Sequence, residues 1–216
     1  MEVFNYIIKL MPQLLEGLGV TLKIFLLTLI LSIPLGIIIA LMRVSKYKIL
    51  KEISGIYVLV LRGTPLLLQI IVIYFGLPAI GIKFQRFIAA IVAFVLNYGA
   101  YFGEIFRAGI LSVDEGQIEA AHVLGLTSKD TFFRIILPQA VKNVLPPVAN
   151  EITTLIKDTS LVYVVGIDEI LRVGTTATNR DVSLMPLLVV GIVYLIVIGI
   201  LSKVMDRIEK RYDYYK

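Results

Sequence analysis

Apolar positions in this chain fall into long runs, each closed by a cluster of polar or charged residues. Residues 24–42 are apolar except for Thr28, Ser32, Pro34 and Gly36, and about 20 such residues suffice to cross a bilayer. Extended to its polar flanks, this run predicts a first crossing over residues 14–43. The same criterion predicts crossings over residues 52–79, 85–111, 131–157 and 183–201, five in all. Residues 1–13 place Val3, Phe4, Ile7, Ile8 and Met11 on one side, the pattern of a short amphipathic helix lying along the membrane surface. Residues 161–182 are too short and too polar to cross, and read as a re-entrant or surface helix with a threonine-rich tip at 175–179. Residues 202–216 set Met205, Ile208 and Tyr212 opposite Lys203, Arg207 and Lys210, an amphipathic tail.

Within the runs, proline and glycine mark expected irregularities. Arg62-Gly63-Thr64-Pro65 predicts a break or kink in the second crossing, because Pro65 has no amide donor and Gly63 weakens a helix. Such backbone at membrane depth needs protein or a water-filled cavity to cover it, so the break is either a plain kink or the wall of a path. Pro34 predicts a kink whose freed carbonyl meets Ser32 or a neighbouring helix. Pro146-Pro147 predicts an interruption of the fourth crossing, and residues 76–84 an outer turn. Pro186 falls in a permitted first-turn position.

Ionisable residues inside a membrane cost roughly 2.5–3.5 kcal/mol each and usually face a partner or an aqueous cavity. Glu104, Arg107, Glu151 and Asp158 meet that description. One reading pairs Glu104 with Arg107 three residues on, and Glu151 with Lys142 or Arg62. The other starts from Asn97, Tyr101, Glu104 and Ala108, which share a helix face. In it, the polar sides of the third and fourth crossings converge on a cavity walled by Asn97, Tyr98, Tyr101, Glu104, Asn150, Glu151, Thr154 and Asp158.

Composition narrows the function classes. The chain has 216 residues, 58% of them hydrophobic, against about 45–50% in soluble domains, and its mean hydropathy is +0.89. It reads as one membrane domain over residues 1–216, and residues 1–13 show no cleavable leader. With no cysteine and one histidine, His122, disulfides and thiolate or histidine metal centres are not expected. The net charge of +5 comes from basic residues at membrane ends rather than one patch, which argues against nucleic acid. No GxxxxGK[ST], GxSxG or HExxH stretch occurs, so the chain is not expected to be an enzyme by itself or to bind a cofactor.

Residues 113–140 carry the most specific signal. Glu119-Ala120-Ala121 lies in a short amphipathic helix, Gly125 stops it in the left-handed conformation, and Thr127 or Ser128 caps the next helix. An apolar surface of Phe132, Phe133, Ile135, Ile136 and Leu137 follows before Pro138. The competing reading is an ordinary amphipathic loop. The order Glu119-Ala120-Ala121, Gly125, Ile136-Leu137-Pro138 resembles the EAA loop in the membrane subunits of binding-protein-dependent ABC importers. RGTPLLLQ, NYGAYFGEIFRAGI and IKDTSLVYVVGIDEI resemble segments of the polar amino acid branch of that family.

The resemblance implies an all-α fold with five transmembrane helices, a surface N-terminal helix and cytoplasmic coupling helices at about 113–130. It implies that Glu119, Ala120, Ala121, Gly125, Leu126, Leu137 and Pro138 engage a groove of a separate ATPase. Two ATPase subunits would bind ATP and Mg, and a second permease copy, most simply identical, would complete the pore. An extracytoplasmic amino-acid-binding protein would deliver the solute. The acids of the proposed wall favour basic amino acids (arginine, lysine or histidine), with glutamine or glutamate as alternatives. An ATP-independent channel or secondary transporter subunit is the rival reading. Arg43, Lys46, Lys48, Lys51, Arg107, Lys129, Arg134, Lys203, Arg207, Lys210, Arg211 and Lys216 would all lie on one side of the membrane. The positive-inside rule makes that side cytoplasmic in a prokaryotic plasma membrane, with the N-terminus outside and the C-terminus inside.

Overall fold

The computed structural model describes residues 2–212, with side chains from residue 5 onward. Met1, the side chains of Val3 and Phe4, and residues 213–216 lie outside the described residues, and the surface-helix and tail expectations partly rested on them. The described residues form helices and connecting turns with no strand. α1 is Glu2–Val44, α2 Lys48–Gly63, α3 Leu66–Ile71, α4 Arg86–Leu111 and α5 Glu115–Val123. α6 is Ser128–Thr131, α7 Leu137–Asp158, α8 Ile170–Asp181 and α9 Met185–Tyr212.

α4 is the central element. Its Ala90, Ala93, Phe94, Tyr98 and Phe102 are buried against Ile24 and Phe25 of α1, Leu66 and Ile70 of α3, and Leu155 and Ile156 of α7. Small residues let it approach α1 closely, as membrane helices require where no hydrophobic force draws them together. A Cβ on Gly36 of α1 would stand 2.6 Å from Phe102 Cβ and 3.0 Å from the Gly103 amide of α4. Apolar side chains that find no partner, such as Ile30, Ile37, Leu188, Leu195 and Ile200, face outward, as lipid-facing helices should.

Several expectations need correction. The surface helix and first crossing are one 43-residue helix, about 64 Å long at ~1.5 Å per residue and roughly twice a ~30 Å apolar core. Its early turns are held by packing, with Leu10 and Leu14 buried against Ile170, Ala177 and Val190. α1 runs through Pro12 and Pro34 without interruption, and the Ser32 hydroxyl, buried, has no hydrogen-bond partner. α7 likewise runs through Pro146 and Pro147. The outer turn shrinks to residues 81–85, because a π-helical turn at Val72–Gly76 and a 3-10 turn at Leu77–Ile80 carry the helix farther. α8 packs into the molecule through Ile170, Gly174 and Ala177 rather than lying on its surface. The fifth crossing and the tail are one continuous helix, α9.

A π-helical turn at Phe132–Ile136 joins α6 to α7. Leu77 and Leu137 each donate to the carbonyl five residues back, Val72 and Phe132, and each directly precedes a proline. A proline ring clashes with the carbonyl four residues before it, and widening the turn relieves the clash without ending the helix.

α1, α4 and α9 are long and apolar enough to cross a membrane, and α2 with the helix after it counts as a fourth span if the pair is taken as one, bent by 103°. α7 has the length, but Lys142, Asn143, Asn150, Glu151, Lys157 and Asp158 make it too polar to qualify by composition.

Candidate functional site

The bend between α2 and α3 organises the site. Thr64 is extended (φ −120°, ψ 146°), the conformation a following proline favours. In a continuous helix the amide of residue 65 would meet the Leu61 carbonyl, but Pro65 has none. Two side chains supply the missing donors. Asn97 Nδ2 of α4 donates to Leu61 O at 2.9 Å, and Gln69 Nε2 of α3 donates to the same oxygen at 2.9 Å. Gln69 Nε2 also reaches Thr64 O at 3.1 Å and Thr64 Oγ1 at 2.9 Å, while its own Oε1 accepts from Asn97 Nδ2 at 3.1 Å. The break is therefore a closed hydrogen-bond network rather than loose backbone. Sequence reasoning placed Asn97 on the wall but overlooked Gln69, although a lone amide within Leu66–Ile71 was the same kind of signal.

Against this break lies a cavity of about 570 Å³, within the ~300–1,000 Å³ usual for small-molecule sites. Asn97, Tyr98, Tyr101, Glu151, Thr154 and Asp158 line it, facing Arg62, Thr64 and Leu66 across the bend. Two of the eight expected wall residues lie elsewhere. Asn150 is exposed on α7, and Glu104 lines an adjoining chamber of about 470 Å³ with Arg43, Gly55, Arg62 and Tyr101. Glu104 is ion-paired with Arg107, as the simpler reading of that spacing had it.

The cavity's polar groups divide into committed and available ones. Both hydrogen-bonding roles of Asn97 described above serve the break. Tyr98 Oη donates to Asp158 Oδ2 at 2.8 Å, which leaves the second carboxylate oxygen of Asp158 for a ligand. The Arg62 guanidinium lies over the Tyr101 ring, 5.0 Å from its centroid. Glu151 lines the same cavity. One guanidinium and two carboxylates thus share a chamber whose other walls are aromatic, apolar or uncharged polar residues.

At the α5 end the backbone makes a second helix–break–helix. Gly125 has φ +78°, its amide donates to His122 O at 3.0 Å, and the Leu126 amide donates to Ala121 O at 3.0 Å. That pair of bonds closes a helix on its C-terminal glycine. Thr127 then caps α6, accepting from the Asp130 amide at 3.2 Å. Ala121 is buried (1% exposed) while Val123 (87%) and Leu124 (80%) stand in solvent at the tip. Glu119, Ala120, Gly125 and Pro138 are also exposed, whereas Leu126 and Leu137 are half-buried. Gln139 Nε2 donates to Gln117 Oε1 at 2.7 Å and Asn143 Nδ2 to Ser112 Oγ at 2.7 Å. The first bond ties this helix–glycine–helix elbow, and the second the end of α4, to α7, the helix that carries Glu151 and Asp158.

Known proteins match this arrangement along nearly all of the chain. The family model described as "Binding-protein-dependent transport system inner membrane component" matches residues 32–214. The arginine transport system permease protein ArtQ of Bacillus subtilis (strain 168) is 39% identical over 210 residues, 96% of this chain and 96% of that protein. The putative glutamine transport system permease protein GlnP of Rickettsia conorii (strain ATCC VR-613 / Malish 7) is 38% identical over 214 residues, 97% of this chain and 98% of that one. The crystal structure of an amino acid ABC transporter with histidines contains a chain of 35% identity and TM-score 0.90, covering 96% of this chain and 98% of its own.

Proposed function

The chain belongs to the family of binding-protein-dependent transport system inner membrane components, and from that premise we propose that two copies of it form the path of an ATP-driven importer for polar amino acids. The observation that carries the proposal is the cavity at the helix break, where Arg62 faces Glu151 and Asp158. An amino acid brings a carboxylate and an ammonium, and an arginine or lysine brings a second cation. Arg62 suits the carboxylate as a planar donor, Asp158 and Glu151 suit the two cationic groups, and the face of Tyr101 adds a surface on which a guanidinium can stack. Two acids against one base favour a basic amino acid. Glutamine is the second reading, supported by the likeness to GlnP.

The elbow supplies the link to ATP. Val123 and Leu124 are apolar and exposed side by side at the tip among the described residues, which fits a surface that another protein covers. In the proposed machine a separate ATPase, holding ATP and Mg, grips each elbow, and an extracytoplasmic binding protein delivers the solute on the opposite side. ATP then shifts the balance between inward- and outward-open states by binding one of them better. The elbow faces the cytoplasm in this arrangement, as the basic residues beside it favour.

Reconstitution with its ATPase and binding protein should show ATP hydrolysis stimulated most by arginine, lysine or histidine among a panel of amino acids. Asp158→Ala should raise the half-saturation concentration for uptake by roughly tenfold, the loss of one charged hydrogen bond of about 1.5 kcal/mol. Unchanged kinetics in that variant removes the cavity as the solute site. An ATP-independent channel predicts uptake without nucleotide and no co-purifying ATPase.

A further inference from the structure

The two chambers that meet at Arg62 and Tyr101 carry opposite charge. The first holds Glu151 and Asp158 against Arg62. The second follows it along α4 toward Leu111 and the elbow, and holds Arg43, Arg62 and Glu104. Arg107 pairs with Glu104 from the same helix. Arg43, Arg62 and Arg107 therefore act on the one carboxylate of Glu104, and even with Arg62 shared between the chambers the second holds the positive excess.

This cluster is built rather than incidental. Arg43 reaches from the last turn of α1 across α2 at Gly55, where a Cβ would stand 2.9 Å from its Nη1. Its Nε stops 3.8 Å from Glu104 Oε2, and both atoms are buried without a hydrogen bond. At that separation the ion pair has no hydrogen bond locking the guanidinium to the carboxylate, and Glu104 gives its other oxygen to Arg107. The arrangement leaves the positive charge of Arg43 incompletely neutralised beside the passage.

We propose that Arg43, Arg62 and Arg107 form a positive collar that stops free inorganic cations from leaking past the acidic cavity. The inference rests on the reading of this chain as the wall of a membrane path. Glu151 and Asp158 attract cations into the first chamber, so a pore built only of that chamber would be a cation leak. A fixed positive ring downstream raises the barrier to any bare cation, the device by which a pore-lining arginine excludes protons and metal ions. A basic amino acid meets a lower barrier than a bare cation of the same net charge because it brings a carboxylate that the collar attracts.

The test measures passive sodium efflux from proteoliposomes holding the complete importer without ATP. Arg43→Gln should raise sodium leak by roughly tenfold, the order set by removing one charge about 10 Å away at an effective dielectric constant of about 20. Arg43→Lys should leave the leak at the wild-type level. Glu104→Gln should leave it unchanged or lower it, because that variant makes the ring more positive. A leak that rises in both Arg43→Gln and Glu104→Gln assigns the cluster to steric closure and overturns the proposal, as does a leak that moves in neither. ATP-driven arginine uptake by the wild-type vesicles reports separately on the transport reading, so a failed collar is distinguishable from a failed path.

Discussion

The molecule contains two helix–break–helix units, and they are held by opposite means. At Thr64-Pro65 the chain turns through 103°, and the carbonyl that Pro65 orphans is met by an amide 36 residues away. At Gly125 every bond that shapes the turn comes from within the turn, His122 O and Ala121 O accepting from the next two amides. The first break forms part of the cavity wall, and its freed Leu61 carbonyl is met by side chains of α3 and α4. The second is exposed, where glycine's freedom and local backbone bonding suffice. A wall shaped by distant residues can move only when the bundle moves, whereas the elbow travels as a rigid local unit. That difference suits a machine in which a motor pushes one to rearrange the other.

The contrast is most severely tried by removing the amides. Gln69→Leu with Asn97→Leu leaves the Leu61 and Thr64 carbonyls without those donors, and each orphaned buried group costs about 1–3 kcal/mol. Thermal unfolding in detergent should fall by several degrees and uptake by more than tenfold. A double variant with native melting and uptake would show that the bend needs no clamp. Next in size is Gly125→Val, which puts a β-branched residue at φ +78°, a conformation costing such residues about 1–3 kcal/mol. The protein should still insert, but ATP hydrolysis should proceed without uptake; full transport by this variant would end the elbow's role in coupling.

A smaller effect on folding is expected from Leu124→Ser at the tip. That side chain is 80% exposed, so stability should change by less than about 0.5 kcal/mol while the affinity for the ATPase falls. Native affinity in a binding measurement would place the contact elsewhere. The smallest effect concerns a site remote from both breaks. The Arg180 guanidinium and then the Tyr6 hydroxyl hold the Asp181 carboxyl down at about 2, from an unfolded value of 3.8. Because the folded value is the lower one, this contact's contribution is complete above pH 3.8 and fades as pH falls through about 2. Tyr6→Phe should therefore lower melting slightly at neutral pH, and the difference from wild type should vanish near the acid end.

Much was written locally. The apolar runs located α1, α4 and α9, Gly125 with Thr127 or Ser128 marked the elbow to within a residue, and Tyr98, Glu151 and Asp158 pointed to one chamber. Prolines misled because their effect depends on what surrounds them. Pro65 ends a helix where Asn97 and Gln69 donate to the freed carbonyl. Pro146 and Pro147 sit within α7, where Ala149, Ile152 and Leu155 are buried against neighbouring helices and packing keeps the helix going. Glu104 was assigned to the wall by helical periodicity and Asn150 by the polar side of its helix, but neither signal says how far along a helix the cavity reaches.

By itself the chain's order of residues determined an all-helical membrane protein with an exposed elbow, since hydrophobic run length, glycine conformation and helix capping act over a few neighbours. Only the assembled bundle decided that Asn97 braces a bend, and that Glu104 pairs with Arg43 and Arg107 beside an adjoining chamber rather than lining the acidic cavity. Hydrogen bonds and charge balance between residues 36 or 61 positions apart (Asn97 with Leu61, Arg43 with Glu104) depend on how helices pack, and no local pattern encodes that.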